Sequence, residues 1–243
     1  MDEVPSLKKR LAESLGKSFP KAVRRNLRLI AIVTTIFLAS SGIAITSNQI
    51  GDNPVNQAVK DFTEPSREFM KEEAKVGRSP LEWTGFYLRN NLVSTIEIIG
   101  LGVAFGAFSL YSLLINGLTM GYVISTSGHS ALDVSSLLLP HGVFELTGFM
   151  LAASCGVRLG IGSVKSLANQ ETKPLKKAGN SIVGLIPPTI LLIIIAGFIE
   201  SSLHVIPVLG SAAIQLGLVG GSLISFAILL LWMSGNLTRT GNQ

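Results

Sequence analysis

Long apolar runs dominate the chain, and short polar segments separate them. Six of these runs are about 17 to 25 residues long, which is the length a helix needs to cross the hydrocarbon core of a bilayer. The predicted spans are 27–46, 91–107, 108–127, 137–159, 182–206 and 211–233. The pattern therefore predicts an all-α, polytopic membrane bundle of about six transmembrane helices.

The boundary between the second and third spans decides the number of crossings. Gly102 and Gly106 allow a tight turn there, whereas one bent helix would give five spans. Six spans place both termini and the basic 160–180 loop on the same side of the membrane. Five spans would place the two most basic segments on opposite sides, so six is the better prediction.

The spans divide the chain into segments. Residues 1–26 form a basic N-terminal segment, 27–46 the first transmembrane helix, 47–89 an extracytoplasmic amphipathic helical segment, 90–233 a membrane core bundle and 234–243 a short tail. Within the polar segment, Ser79-Pro80-Leu81-Glu82 has the pattern of a capping box with proline in the first turn. A helix is therefore predicted to begin there.

Composition and charge support this topology. Only 14% of the residues are charged, against about 25% in soluble domains. The net charge of +5 comes from two clusters, one before the first span and one in and around the 160–180 loop. This asymmetry is typical of the positive-inside rule rather than of a nucleic-acid interface. It predicts a multi-pass cell-membrane protein in the lipid bilayer, with both termini cytoplasmic and no nucleic-acid partner. The lone Cys155 is predicted to pack in the apolar core.

Several spans carry polar side chains that are costly in lipid. A charged side chain at the bilayer centre costs roughly 2.5–3.5 kcal/mol on insertion scales. The residues are Glu97, Asn116, the pair His141 and Glu145, and the pair Glu200 and His204. Each pair has i, i+4 spacing, so its members share a helix face. Because the fourth and fifth spans run antiparallel, the two pairs are predicted to meet in the outer half of the membrane.

Three interpretations of this predicted cluster stay open. Hydrogen bonds between His and Glu could lock two helices together. The cluster could instead be a proton- or ion-linked site. It could also bind a metal ion through His141, Glu145, Glu200 and His204, although no other cofactor is expected. The chain has no nucleophile–base pair, phosphate loop or dinucleotide fingerprint, so it is not predicted to be an enzyme.

Pro140 and Gly142 flank His141 and suggest an unusual entry to the fourth span. The segment before His141 is predicted to be broken or re-entrant, or else to be a simple helix start with proline in the first turn. Gly142 is expected to let another helix or a bound group approach closely. Asn116 is predicted to donate a hydrogen bond to a neighbouring helix, and Glu97 either to pair with Asn116 or to be neutral.

Small residues recur at one-turn spacing, as they do where membrane helices pack closely. The pairs are Gly102/Gly106, Gly117/Gly121, Gly156/Gly160 and Gly217/Gly221. Packing within one bundle is the favoured interpretation, and a homo-oligomer face is the alternative.

Four stretches together resemble the stage II sporulation protein M family. They are Asn90-Asn91, NGLTMG at 116–121, PHGVFELTGFMLAASCGVRLG at 140–160 and AGFIE at 196–200. The resemblance covers roughly residues 88–206. By position, it assigns the signature polar residues to Asn91, Asn116, His141, Glu145 and Glu200, with Gly117, Gly121, Pro140, Gly142, Gly156 and Gly160 in the surrounding motifs. His204 has no place in that pattern.

The resemblance implies an integral membrane protein of bacteria or archaea. In endospore formers, the family's namesake anchors a peptidoglycan-degrading machine. A membrane scaffold or assembly factor for envelope remodelling is therefore the first hypothesis, with envelope-remodelling partners bound through residues 47–89. A proton- or ion-coupled transporter or channel-like protein, using the His/Glu cluster, is the second.

Overall fold

The computed structural model describes residues 12–203, 208 and 211–235. Within these residues every regular element is helical and no strand occurs, which confirms the all-α fold. The α-helices are α1 (Phe19–Ile50), α2 (Pro54–Lys75), α3 (Pro80–Gly100), α4 (Ala107–Thr126), α5 (Ala131–Asn169), α6 (Lys173–Ile182), α7 (Ile186–Leu203) and α8 (Ala212–Ser234). A π-helical turn, Ser14–Ser18, leads into α1, and a 3₁₀ turn, Leu101–Val103, follows α3.

Five of the described helices are long and apolar enough to cross a membrane. They are α1 with its preceding turn, α4, α5, α7 and α8. Residues 91–100 of the predicted second span lie in α3, which is not among the five and carries Glu82, Arg89 and Glu97. The sixth crossing therefore stays a prediction.

The boundaries of α3 differ from the predicted second span of 91–107. The helix begins at Pro80, because Ser79 and Glu82 form the reciprocal capping box that the sequence predicted. It ends at Gly100, and Gly106 then adopts a left-handed conformation with φ of 76° before α4 begins. The tight turn is confirmed, and the single bent helix is excluded.

The central element is α5, a continuous helix of 39 residues that packs against α1, α3, α4, α6, α7 and α8. Both interpretations of Pro140 were wrong, because Pro140 lies inside this helix. A second capping box, formed by Ser130 and Asp133, starts the helix well before the proline. Proline removes one backbone donor, and neighbouring helices make that loss tolerable within a bundle. The helix also extends past the predicted span of 137–159 at both ends.

The predicted 160–180 loop is mostly helical. Its first part is the end of α5, and Lys173–Ile182 forms α6. The amide of Leu175 donates to the Ser166 hydroxyl at 3.0 Å, which ties α6 to α5. The next helix, α7, begins at Ile186, so Pro187 and Pro188 lie in its first turn, where prolines are well tolerated.

Small residues set the closest contacts between helices. A side chain at Gly117 or Gly121 would collide with α1 at Ser40 or Ser41, and one at Gly160 would collide with the turn at Gly106. These glycines therefore pack within the bundle, as favoured from the sequence. Gly217 and Gly221 differ, since no described atom lies within 4 Å of a Cβ built at either position.

The two ends of the bundle are formed by different elements. At one end, Asn26 Nδ2 donates to the Ser181 carbonyl at 2.9 Å and Trp232 Nε1 donates to the Leu15 carbonyl at 2.9 Å. This end therefore gathers the start of α1, the end of α8 and the basic segment around α6. At the opposite end, Gln215 Nε2 donates to Asp133 Oδ1 at 2.6 Å, and α2 covers the end of α4.

Candidate functional site

The polar residues singled out from the sequence lie mainly on α3, α5 and α7. After α5 the chain returns antiparallel along it. Gly162, near the end of α5, lies beside Ala178 of α6, and the earlier Gly148 lies beside Thr189 and Ile193 of α7. Seven residues from Gly148 towards the start of α5 reach His141, and seven from Ile193 towards the end of α7 reach Glu200. The pairing therefore places His141 and Glu200 at about the same level.

The α3 helix joins α7 from another side and is also antiparallel to it. Thr84 Oγ1 donates to Ser201 Oγ at 2.8 Å, and the Leu88 side chain packs beside Gly197. Helical side chains lean towards the N-terminus of their own helix. The side chains of Asn91 and Glu200 therefore lean towards each other's level, and they form a hydrogen-bonding interaction that falls short of ideal geometry. Asn91, His141, Glu145 and Glu200 are called the polar set below.

Two carboxylates of the polar set belong to different helices. Glu145 on α5 lies within electrostatic range of Glu200 on α7. In the described part of the chain, neither carboxylate forms an ion pair with a Lys, Arg or His side chain. Like charges repel strongly where the dielectric constant is low, so at least one of the two carboxyl groups must take up a proton or pair with a cation.

Three atoms of the polar set are buried and lack a hydrogen-bond partner among the described residues. They are Nδ2 of Asn91, Nδ1 of His141 and Oε2 of Glu200. Each comes from a different helix. In folded proteins nearly all buried polar atoms are paired, so each exception needs a reason, such as a bound water or ion.

The predicted His–Glu lock has no hydrogen bond to support it in the described residues. No bond joins His141 to Glu145 or Glu200, although the spacing brings these residues to one region. Nor do three His, Cys, Asp or Glu side chains gather so that they could hold a metal ion, within the ranges that the structure covers. His204, the fourth predicted ligand, lies outside the described residues.

The described residues show neither the bond predicted for Asn116 nor the pairing that was one of two alternatives for Glu97. Asn116 is exposed, and its Nδ2 donates to the Ser112 carbonyl of its own helix at 2.8 Å, so the predicted bond to a neighbouring helix was wrong. Glu97 is also exposed, and the described residues show no bond between it and Asn116. The side chain of an asparagine can donate to the backbone carbonyl four residues earlier in its own helix, and residue spacing alone does not exclude this bond.

Tyr87 is a neighbour of the polar set that the sequence did not assign to the site. Trp83, Phe86 and Tyr87 have the pattern of an aromatic belt at the membrane interface, yet the Tyr87 side chain is only 7% exposed. Its ring stacks on Trp83 with centroids 5.5 Å apart, and its hydroxyl lies within electrostatic range of Glu145 and Glu200. The i, i+4 spacing of Tyr87 and Asn91 is the signal that places both on one face.

Gly142 leaves space beside His141. The residue is buried, yet no described atom lies within 4 Å of the position that a Cβ would take. The expected close approach of another helix at Gly142 is therefore not observed in the described structure. A buried glycine with free volume next to an unpaired imidazole is consistent with room for a bound group.

Comparison with known proteins gives two kinds of match. The family model described as "Stage II sporulation protein M" matches residues 27–203 of this chain. Two curated proteins of Methanocaldococcus jannaschii are similar: "Uncharacterized protein MJ0793", 29% identical over 117 residues, and "Uncharacterized protein MJ0706", 31% identical over 118 residues. These alignments cover 46% and 47% of this chain, and 66% and 52% of the respective relatives. The chain thus spans less than two thirds of each relative. No solved structure matches.

Proposed function

Because the chain belongs to the stage II sporulation protein M family, we propose that its polar set lines a membrane-embedded pocket. This pocket binds a cation or a proton-carrying solute, as in a transporter or channel-like protein. The observation that carries this function is the group of unpaired buried atoms on Asn91, His141 and Glu200.

The energetics favour a binding pocket over a structural lock. Leaving a buried polar atom without a partner costs about 1–3 kcal/mol, and the membrane core supplies no water to offset this cost. A lock between helices would pair His141 as well, whereas the described residues give only an interaction between Asn91 and Glu200 that falls short of ideal geometry. Three unpaired atoms at one level of the bundle are better explained by a species that occupies the space between them.

The chemistry of the polar set suggests what that species is. Glu145 and Glu200 supply acceptors, and their proximity favours a species that brings positive charge. Asn91 and His141 supply an amide and an imidazole, which can orient a polar solute or relay a proton. A monovalent cation or a protonated solute fits this set. A metal ion that needs three His, Cys, Asp or Glu ligands does not, because the described residues contain no such group.

Transport assays with purified protein in liposomes test this function. Under a pH or sodium gradient, the wild-type protein should support flux above that of empty liposomes. Glu200→Gln keeps the side-chain shape but removes the charge, and should reduce the flux by at least about tenfold with an unchanged folded yield. Glu97→Gln is the matched control, because Glu97 is an exposed carboxylate on α3, and it should retain the flux.

Two results would contradict the transport proposal. One is wild-type flux no greater than that of empty liposomes under every gradient. The other is equal flux in wild-type protein and in Glu200→Gln. Loss of flux in both Glu200→Gln and Glu97→Gln would instead point to a general effect of charge.

A membrane scaffold is the second candidate, and the attachment of α2 favours it. Arg67 stacks over the Tyr122 ring at 5.8 Å, and Phe69 stacks with Phe86 at 6.4 Å. These contacts hold one side of α2 on the bundle, while Phe62 on the same helix is 55% exposed. A helix fixed in this way can present its free side to an envelope-remodelling protein.

Site-specific photo-crosslinking in the native host separates this candidate from transport. A crosslinker at Phe62 should capture one recurrent partner, and a crosslinker at Leu223, an exposed apolar residue of α8, should capture a different set or none. Identical products at both positions would reject α2 as a specific docking face. A second copy of the chain is the partner expected at the open Gly217 and Gly221 face.

Charge distribution supports an orientation for either function. The basic end of the bundle carries residues from α1, α5 and α6, as expected of a cytoplasmic face. Both termini would then lie in the cytoplasm, and α2 would lie on the outer side of the cell membrane.

A further inference from the structure

The basic end of the bundle contains a set of connected clefts that the polar set does not use. Arg158 of α5 lines three of them, with volumes of about 350, 440 and 520 Å³. The side chains of Lys173 and Lys177 from α6 line the first two, and Arg25 from α1 lines the second and third. Three helices therefore converge on one arginine with additional positive charge around it.

Arg158 is held in place but not neutralised. Its Nε donates to the Ser181 hydroxyl at 3.3 Å, and that hydroxyl donates to the Ala178 carbonyl at 2.7 Å. The described residues give its two terminal nitrogens no hydrogen bond and no carboxylate partner. A guanidinium fixed at Nε presents those two nitrogens as a fork, which matches the oxygens of a phosphate group.

Acidic residues are scarce around these clefts. Glu171 lines the smallest cleft, where its carboxylate lies 3.9 Å from Lys173 Nζ. The two larger clefts have no acidic lining residue in the part of the chain that the structure describes. Their excess positive charge therefore has no internal counter-ion and favours an external anion.

The largest cleft also has an apolar side. Leu27, Ile32 and Ile161 line it together with Arg25 and Arg158. Leu27 and Ile32 are more than half exposed, as expected of side chains that face acyl chains. A cleft with guanidinium groups at one side and aliphatic side chains at the other has the amphipathic character of a phospholipid.

We propose that this basic end binds the phosphate group of an anionic membrane lipid, with Arg158 as its central ligand. Basic pockets between transmembrane helices on the cytoplasmic side are suited to anionic headgroups. A free phosphate ion shares the same chemistry, but it would gain nothing from Leu27, Ile32 and Ile161. The lipid is therefore the favoured source.

Native mass spectrometry and thermal unfolding of the purified full chain in detergent test this site. The probes are phosphatidylglycerol, phosphatidylcholine and inorganic phosphate. Phosphatidylglycerol should remain bound through detergent release and raise the unfolding temperature, whereas phosphatidylcholine should do neither. The double variant Arg158→Gln/Lys177→Gln should weaken phosphatidylglycerol binding by about fivefold for each charge removed.

Matched variants keep the test decisive. Lys60→Gln/Lys71→Gln removes the same charge from α2, far from the clefts, and should bind phosphatidylglycerol as the wild-type protein does. If the double variant fails to fold, Arg158→Lys provides the test, since it keeps the charge and loses the fork. It should bind phosphatidylglycerol several-fold more weakly than wild type.

Three outcomes would overturn the site. The wild-type protein could bind phosphatidylglycerol and phosphatidylcholine equally. The Arg158 variants could bind phosphatidylglycerol as tightly as the α2 control. Inorganic phosphate could stabilise the protein as much as phosphatidylglycerol at equal concentration, which would reject the lipid as the source. None of these outcomes affects the transport test, because Glu200 plays no part in them.

Discussion

Two polar regions of the same bundle differ in whether their buried polar atoms have hydrogen-bond partners. At the seam between α1 and α4, the Ser40 hydroxyl donates to carbonyls of α1, and the Ser41 hydroxyl donates to the Gly117 carbonyl of α4 at 2.9 Å. In the polar set, by contrast, atoms of Asn91, His141 and Glu200 are buried without partners in the described structure. These polar atoms are buried in both regions, but only those of the seam have hydrogen-bond partners in the described structure.

The difference separates polar residues that hold helices together from polar residues kept for another purpose. Paired hydroxyls and small side chains let α1 and α4 approach closely and leave nothing to bind. Unpaired atoms reduce stability, and proteins retain such atoms where activity needs them. Substitutions at the seam are therefore expected to destabilise the protein. Apolar substitutions in the polar set are expected to preserve stability but impair function.

The largest expected effect is at the seam. In Gly121→Leu, the new side chain would meet the backbone of Ser41, so α1 and α4 would have to separate. We expect a loss of about 3 kcal/mol, measured by reversible unfolding in mixed micelles. Gly217→Leu is the control, since no described atom lies near that position, and it should unfold like the wild-type protein. Equal losses in both variants would mean that the seam is not specially packed.

A smaller effect of opposite sign is expected beside the polar set. Gly142→Ala should be neutral or stabilising by up to about 1 kcal/mol, because alanine favours helix more than glycine and no described atom lies within 4 Å of the new Cβ. Gly160→Ala is the matched control on the same helix, where the new Cβ would collide with the backbone of Phe105 and Gly106. It should destabilise the protein in the same unfolding assay. A destabilised Gly142→Ala would show that the space beside His141 is not there.

The smallest effect concerns an exposed carboxylate that accepts hydrogen bonds from Ser79. The Ser79 backbone amide and hydroxyl donate to Glu82, and these bonds lower the pKa of Glu82 from its ordinary 4.5. A lowered pKa stabilises the folded state above the ordinary pKa, and this contribution is lost as the pH falls through the lowered value. The unfolding temperatures of wild-type protein and Glu82→Gln should therefore differ slightly at neutral pH and converge in acid. A difference that widens in acid would contradict the assigned bonds.

Local signals predicted helix ends well where they were complete. The capping box at Ser79 gave the start of α3, and the last span differs from α8 by one residue at each end. The start of α5 was missed although Ser130 and Asp133 form a similar box. Aspartate in place of glutamate weakens that pattern, and Pro140 suggested a later start. A proline inside a membrane helix is tolerated only through tertiary contacts, which sequence does not show.

The sequence predicted that polar side chains of the fourth and fifth spans meet, but it did not predict their bonding. Glu145 and Glu200 do lie within electrostatic range of each other in the described structure. Spacing could not show that these residues would lack a bond, because side-chain rotamers depend on packing. Tyr87 was missed for a related reason: an aromatic residue near a helix entry fits the membrane interface as well as it fits a buried site.

The stability of Glu200→Met tests most directly whether the polar set is kept for binding. Methionine matches glutamate in length and removes the unpaired buried oxygen. We predict that the free energy of unfolding of Glu200→Met, measured in mixed micelles, equals that of the wild-type protein or exceeds it by about 1–3 kcal/mol. A decrease of similar size would contradict the account, because it would show that the Glu200 carboxylate holds the helices together.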